Sequence, residues 1–313
     1  LVRPSEKIDA KYRTLQVLTL DGEVITGIVV EETRDQLKLV DATGKTRKVA
    51  TDDIELIQPS SKSVMPEQLL SGMSAAQAAD LLAYLGAQRK IGPLQHKQAT
   101  VHRTNVPIVV DGKIDESAWD SAPTLGDFVF TWWKEGDGEK QQTDARMLWD
   151  DEALYVLFRC FDKDVKATRT ERDSDVYRDD CVEVFASPEL DHPENYFNIE
   201  MNALGTTLDN YRPQGIKPTS AWDPDGIRCA VSVDGTVNDP SDVDQGWTLE
   251  VAIPFSLFSH VLEDGHPAPG DRWRLNLNRL EDNIAIKSQW SQGDRNVPSF
   301  HAPNFFGFIE FAE

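Results

Sequence analysis

The sequence has 313 residues and a formal net charge of −21 at pH 7, a length that suits about two domains. Apolar residues make up 40% and charged residues 27%, an ordinary globular balance, and no run approaches the ~18 apolar residues of a membrane span. The acidic excess argues against nucleic-acid backbones and anionic membranes as partners. It is also uneven. Residues 1–100 carry 13 basic and 13 acidic side chains, so the entire net charge falls after residue 100. All 8 Trp and 13 Phe lie beyond residue 118. A core without Trp or Phe followed by one rich in both predicts a domain boundary. The three cysteines, Cys160, Cys181 and Cys229, show no Cys-x-x-Cys spacing, which excludes a thiolate zinc site within this chain and reads as buried free thiols.

In chain order, residues 14–20 and 24–30 are β-rich runs separated by Asp21-Gly22, a hairpin signal. Residues 36–40 and 45–50 repeat the pattern, and residues 54–57 end at Pro59. These predict an antiparallel meander of four or five strands. Ser74 with Gln77 three residues later forms a capping-box pattern, and Ala78, Leu81, Leu82 and Leu85 follow at helical spacing. One helix over 75–85 is expected.

The run Ser63-Val64-Met65-Pro66-Glu67-Gln68-Leu69-Leu70, followed by Ala78-Ala79-Asp80-Leu81-Leu82-Ala83-Tyr84-Leu85, resembles the C-terminal end of a class I c-type cytochrome of the planctomycete type, over residues 8–88. The resemblance implies Met65 as the axial haem ligand of a complete protein carrying haem c, with an unnamed redox partner. The family's Cys-x-x-Cys-His is absent here, so no covalently held haem is expected in this chain, and Leu1 is expected to lie inside a truncated domain. The alternative, Met65 as a gap-filling core methionine, stays open.

A polar connector, residues 88–100, precedes ten strand-like runs: 108–110, 128–132, 145–149, 154–161, 181–186, 196–201, 227–233, 247–253, 273–280 and 308–311. Their Gly, Pro, Asp and Asn punctuation predicts an all-β sandwich. The fold class expected is therefore mostly β: an antiparallel β-sandwich preceded by a small β-meander plus one helix. The domains expected are 1–90, a linker over 91–100, and 101–313.

Alternation within these strands places Phe197, Ile199 and Met201 on one face and Asn198, Glu200 and Asn202 on the other. Val182 and Val184 likewise oppose Glu183, and Leu275 and Leu277 oppose Asn276 and Asn278. Carboxylates and carboxamides on a common face suit recognition of hydroxyl groups, although a plain solvated sheet face gives the same pattern.

The blocks Val110-Asp111-Gly112 through Trp119, Trp149-Asp150-Asp151-Glu152-Ala153-Leu154, Asp179-Asp180-Cys181-Val182-Glu183-Val184-Phe185, Tyr196 through Gly205, Gly246-Trp247 through Pro254, and Phe306-Gly307 together resemble the family 9 carbohydrate-binding modules. The resemblance covers residues 101–313. It implies a non-catalytic module for a polysaccharide or oligosaccharide, with Tyr177 and Phe300 as an aromatic clamp and Glu183, Asn198, Glu200, Asn276 and Asn278 as polar contacts. Both clamp positions are Trp in characterised binders. It also implies a periplasmic or extracellular setting, and calcium as a possible cofactor; Asp111/Asp115 and Asp162/Asp164 are oxygen-donor candidates. Trp119, Trp149, Trp247 and Trp273 read as core, whereas Trp132, Trp133 and Trp222 adjoin loops and are candidates for an extended binding surface. Two other functions remain in view: a hydrolytic domain using Glu183 and Glu200, and a structural module with a decayed sugar site.

Overall fold

The computed structural model describes residues 12–33, 35–63, 96–216, 226–259, 261–262, 265–281, 284–295 and 297–313, together with Ser5, Ile8, Met73, Ser74, Gln77, Ala78 and Leu81. The chain divides into two compact units at Gln95/His96.

In the first unit, five strands form one sheet: β1 (Thr14–Thr19), β2 (Val24–Glu32), β3 (Gln36–Val40), β4 (Thr46–Ala50) and β5 (Ile54–Pro59). The order is β4-β3-β2-β1-β5, every pair antiparallel. Alternation buries Leu15, Val17, Leu37, Leu39 and Val49, the meander that the turn signals imply. The expected capping box is closed: Ser74 N donates to Gln77 Oε1 at 2.9 Å and Gln77 N to Ser74 Oγ at 3.3 Å. Most of the helix expected over 75–85, and Met65, lie outside the described residues.

The second unit contains β6 (Gln98–Arg103), β7 (Thr143–Trp149), β8 (Ala153–Phe161), β9 (Cys181–Ser187), β10 (Tyr196–Asn202), β11 (Thr207–Arg212), β12 (Arg228–Asp234), β13 (Gly246–Pro254), β14 (Arg272–Glu281), β15 (Ile286–Gln289) and β16 (Gly307–Ala312). Their pairing follows β11-β10-β9-β14-β16-β6-β7-β8-β13-β12, with β15 on the free stretch of β14. This path doubles over on itself. Val182, Val184, Phe197, Ile199, Leu275 and Leu277 from its first half share one buried cluster with Val156, Phe158, Leu249 and Val251 from its second. The result is a β-sandwich. The seam between layers is parallel, at β16–β6 and β6–β7; the other pairs are antiparallel.

Three strands escaped the sequence reading. β6 begins at Gln98, inside the stretch read as connector, and β11 and β15 were not picked out. Conversely, residues 108–110 form no strand; Ile108 packs instead beside Trp119 and Tyr155. Residues 128–132 contribute one isolated bridge, Val129↔Gln289. The opening block and β13 hold each other through Glu250, which is fully buried. Its carboxylate accepts from Asp111 N (3.0 Å), Gly112 N (2.9 Å) and Trp119 Nε1 (2.9 Å). Trp119, Trp149, Trp247 and Trp273 are all buried, as their strand and turn positions implied.

Candidate functional site

Strand alternation turns the apolar residues of β9, β10 and β14 into the core and leaves Glu183, Phe185, Asn198, Glu200, Asn276 and Asn278 on the outer face. Register then arranges them in rows. Glu183 sits between Glu200 on β10 and Asn278 on β14. β11 adds Leu208 beside Glu200, and β15 adds Gln289 beside Asn278. The next row runs Asn210, Asn198, Phe185, Asn276. The structure thus brings all five polar candidates onto two adjacent rows of one sheet face.

These side chains hold one another. Arg212 Nε donates to Asn198 Oδ1 (3.0 Å), and Asn198 Nδ2 donates to Glu200 Oε1 (2.9 Å). Asn278 Nδ2 donates to Glu183 Oε2 (3.2 Å), while the buried Asn278 Oδ1 has no hydrogen-bond partner among the described residues. Asn276 differs from the rest. Its Nδ2 donates to Ser291 O (3.0 Å) and its Oδ1 accepts from Ser291 N (2.8 Å), so its amide brackets the segment after β15.

The floor is more enclosed than an open solvated sheet face: Glu183 is 3% and Glu200 4% exposed. Two glutamates directly opposite on neighbouring strands repel as carboxylates. Burial first, and the Glu200 charge second, push the Glu183 carboxyl well above the usual carboxylate range. Lys287 has its Nζ on Pro298 O at 3.0 Å; burial lowers its pKa and the nearby Glu183 opposes that shift.

Aromatic groups border these rows. The short 3-10 turn Val176–Arg178 carries Tyr177, half-buried, against a cluster that includes Cys181, Phe185, Leu208, Leu280 and Phe300. The Arg178 guanidinium lies 5.6 Å from the Tyr177 ring centroid. Burial first, then Asp175, pushes the Tyr177 phenol up to about 12. Phe300 belongs to the same cluster but is only 7% exposed. Trp132 packs on it, with ring centroids 5.6 Å apart and planes at 49°. Trp133 has its ring face occupied by Lys140 Nζ, 4.0 Å from the centroid, and Trp222 lies outside the described residues.

In this structure Asp111, Asp162 and Asp164, expected as oxygen donors, engage cationic side chains. Asp111 pairs with Lys113 at 2.8 Å and Asp164 with Lys166 at 2.6 Å. Asp162 is bound by the buried Arg279 at 2.9 Å. Among the described residues, no group of three or more His, Cys, Asp or Glu is arranged to hold a metal.

Arg212, Lys287 and Gln289 were missed in the sequence. The signal for Arg212 lay in the alternation of Leu208, Asn210 and Arg212, readable only once β11 is recognised as a strand. Lys287 and Gln289 depend on β15, whose four residues give too short a pattern to read.

Residues 131–311 match the family model of carbohydrate-binding family 9, more than half of the chain. Over 148 residues, 47% of this chain, the sequence is 28% identical to exoglucanase XynX of Acetivibrio thermocellus. The match spans only 12% of that enzyme's length. A Bacteroides uniformis protein described as a candidate carbohydrate-binding protein superposes over 69% of this chain and 100% of its own, with a TM-score of 0.57 and 23% identity. A family 9 module from Caldicellulosiruptor kristjanssonii, solved with cellotriose, covers 69% of this chain and 94% of its own at 18% identity and a TM-score of 0.49. The Bacteroides likeness is one of fold, and the family match rests on the sequence itself: the chain belongs to carbohydrate-binding family 9.

Proposed function

We propose that this chain binds a polysaccharide or oligosaccharide at the outer face of β9, β10 and β14, and that it does so without catalysis. The observation that carries this reading is the buried row Glu200–Glu183–Asn278 bordered by half-buried aromatics. A pyranose presents apolar C–H faces to rings and hydroxyls at its rim. The floor offers carboxyl oxygens and an orphaned amide oxygen as acceptors for those hydroxyls. Hydrolysis by Glu183 and Glu200 is disfavoured because the two are cross-strand neighbours on one rigid floor. A glycosidase needs its carboxyl groups on either side of the scissile bond.

Titrating glucan and xylan oligosaccharides into the wild type, Tyr177→Ala and Glu183→Ala tests the reading. Saturable binding by the wild type, weakened at least tenfold in both variants, is the result expected. Equal binding by all three proteins would place the site elsewhere, and no binding by the wild type would favour the decayed module.

The parent is proposed as an exported, periplasmic or extracellular, cytochrome-like redox protein brought to its carbohydrate by this module. Support for that comes from the Met65-Pro66 run and the helix-end motif of residues 78–85. Sequencing the gene upstream of Leu1 is the direct test. A Cys-x-x-Cys-His is expected there, and its absence overturns the proposal.

A further inference from the structure

The buried Phe300 cannot offer a free ring face, and the side chain lying on it can. We infer that Trp132 is the aromatic wall of the carbohydrate cleft on the Phe300 side, with Phe300 as its support; this rests on carbohydrate binding at the face described above.

Three observations point to it. The first is accessibility. Trp119, Trp149, Trp247, Trp273 and Trp290 are buried in the sandwich, and Trp133 has Lys140 against its ring. Trp132 is the described tryptophan that is both half-exposed and packed on the aromatic cluster beside the floor.

The second is fixation. Val129 exchanges both backbone hydrogen bonds with Gln289 (2.8 and 3.1 Å), which ties the segment before Trp132 to β15. Gln289 Nε2 donates to Thr131 Oγ1 at 2.8 Å, and Trp132 Nε1 donates to Asp294 O at 2.6 Å. Gly293 completes the seat. A Cβ there would lie 2.8 Å from the Gln289 amide and 3.2 Å from the Trp132 ring, so any larger residue would have to displace the amide that holds Thr131. A half-exposed tryptophan clamped by its neighbours has already lost its rotamer freedom, and stacking on it costs little further entropy.

The third is position. Gln289 is the cross-strand partner of Asn278, which in turn pairs with Glu183. The residue that anchors the Trp132 segment is therefore also an end of the floor row. Tyr177, on the other border, packs against the same cluster.

The test uses the full chain, with cellobiose and xylobiose as probes, read by calorimetry and by tryptophan emission. Trp132→Ala should lose at least tenfold in affinity, and Trp133→Ala should stay within twofold of the wild type. Trp132→Phe keeps a ring on Phe300 and guards against misfolding. It should bind within about fivefold while losing most of the emission change that sugar produces. Wild-type affinity in Trp132→Ala, or an undiminished emission change in Trp132→Phe, would overturn the inference alone. Absence of binding by the wild type to either probe would overturn the carbohydrate-binding reading and this inference with it.

Discussion

Asp180→Asn should remove a large part of the pH dependence of stability in the second unit. Asp180 is 3% exposed, and its Oδ2 accepts from Lys166 N at 2.6 Å. Burial first, and the charge of Asp162 second, push its carboxyl up to about 8, against the pull of Arg279. The unfolded chain would titrate this group near 3.8. Below that pH both states hold the proton and nothing is gained or lost. Between about 4 and 8 only the folded state holds it, so stability falls as pH rises, by at most about 1.4 kcal/mol per pH unit for one proton. Sharing among Asp162, Glu281 and Asp180 around one Arg279 reduces that limit. Asparagine does not titrate and keeps an oxygen for Lys166 N. The difference in stability between Asp180→Asn and the wild type should therefore grow by about 1 kcal/mol per pH unit between pH 5 and 7, in favour of the variant. Urea unfolding followed by tryptophan emission is the assay; all 8 Trp lie beyond residue 118, so the signal reports on this unit. Parallel stability–pH curves for the two proteins would refute the assignment of a raised pKa to Asp180.

Three further outcomes are expected. Glu250→Leu should cost about 3–5 kcal/mol, because Asp111 N, Gly112 N and Trp119 Nε1 lose their shared acceptor in a buried site; a cost under about 1 kcal/mol in the same unfolding assay would contradict it. Gly307→Ala should cost about 1–3 kcal/mol, since the new Cβ would lie 2.5 Å from the Trp290 ring and 2.8 Å from Lys97 O, and an unchanged melting curve would show that the start of β16 simply shifts. Cys160, buried at 1% exposure with its thiol pushed by burial up to about 12, should react with a disulfide reagent only after unfolding; its rapid labelling in the native chain at pH 8 would count against this.

The fold was legible where two signals coincided. In β9, β10 and β14, apolar alternation and flanking turn residues agree, and those strands form within a residue or two of where the pattern places them. β6 lacked such a pattern. Its sequence Gln-Ala-Thr-Val-His-Arg has only Ala99 and Val101 to bury, and its pairing is parallel to two distant strands, which no local signal encodes. The stretch 128–132 failed in the opposite way. It is aromatic enough to read as a strand, but Phe128 goes into the main core and Trp132 onto the outer cluster, and only Val129 pairs.

The site was legible at the level of faces and opaque at the level of exposure. Alternation decides that Asn198 and Glu200 share a face of β10 and that Glu183 and Asn278 oppose the apolar sides of their own strands; pairing of β10, β9 and β14 then puts all four on one face. Alternation is silent on what covers that face. The covering here comes from segments with no regular structure: the turn at 176–178, the loop around Trp132 and the stretch holding Phe300. Their placement depends on single long-range bonds such as Trp132 Nε1 to Asp294 O. The consequence is chemical. On an open face, Glu183 and Glu200 would both be ionised and hydrated, and a sugar hydroxyl would compete with water for each. Enclosed and supported by Arg212 through Asn198, the pair has a fixed geometry, and burial with the Glu200 charge pushes the Glu183 carboxyl well above the usual carboxylate range. The floor is then already stripped of solvent when a ligand arrives, and a hydroxyl donated to the orphaned Asn278 Oδ1 fills a deficit instead of displacing a water.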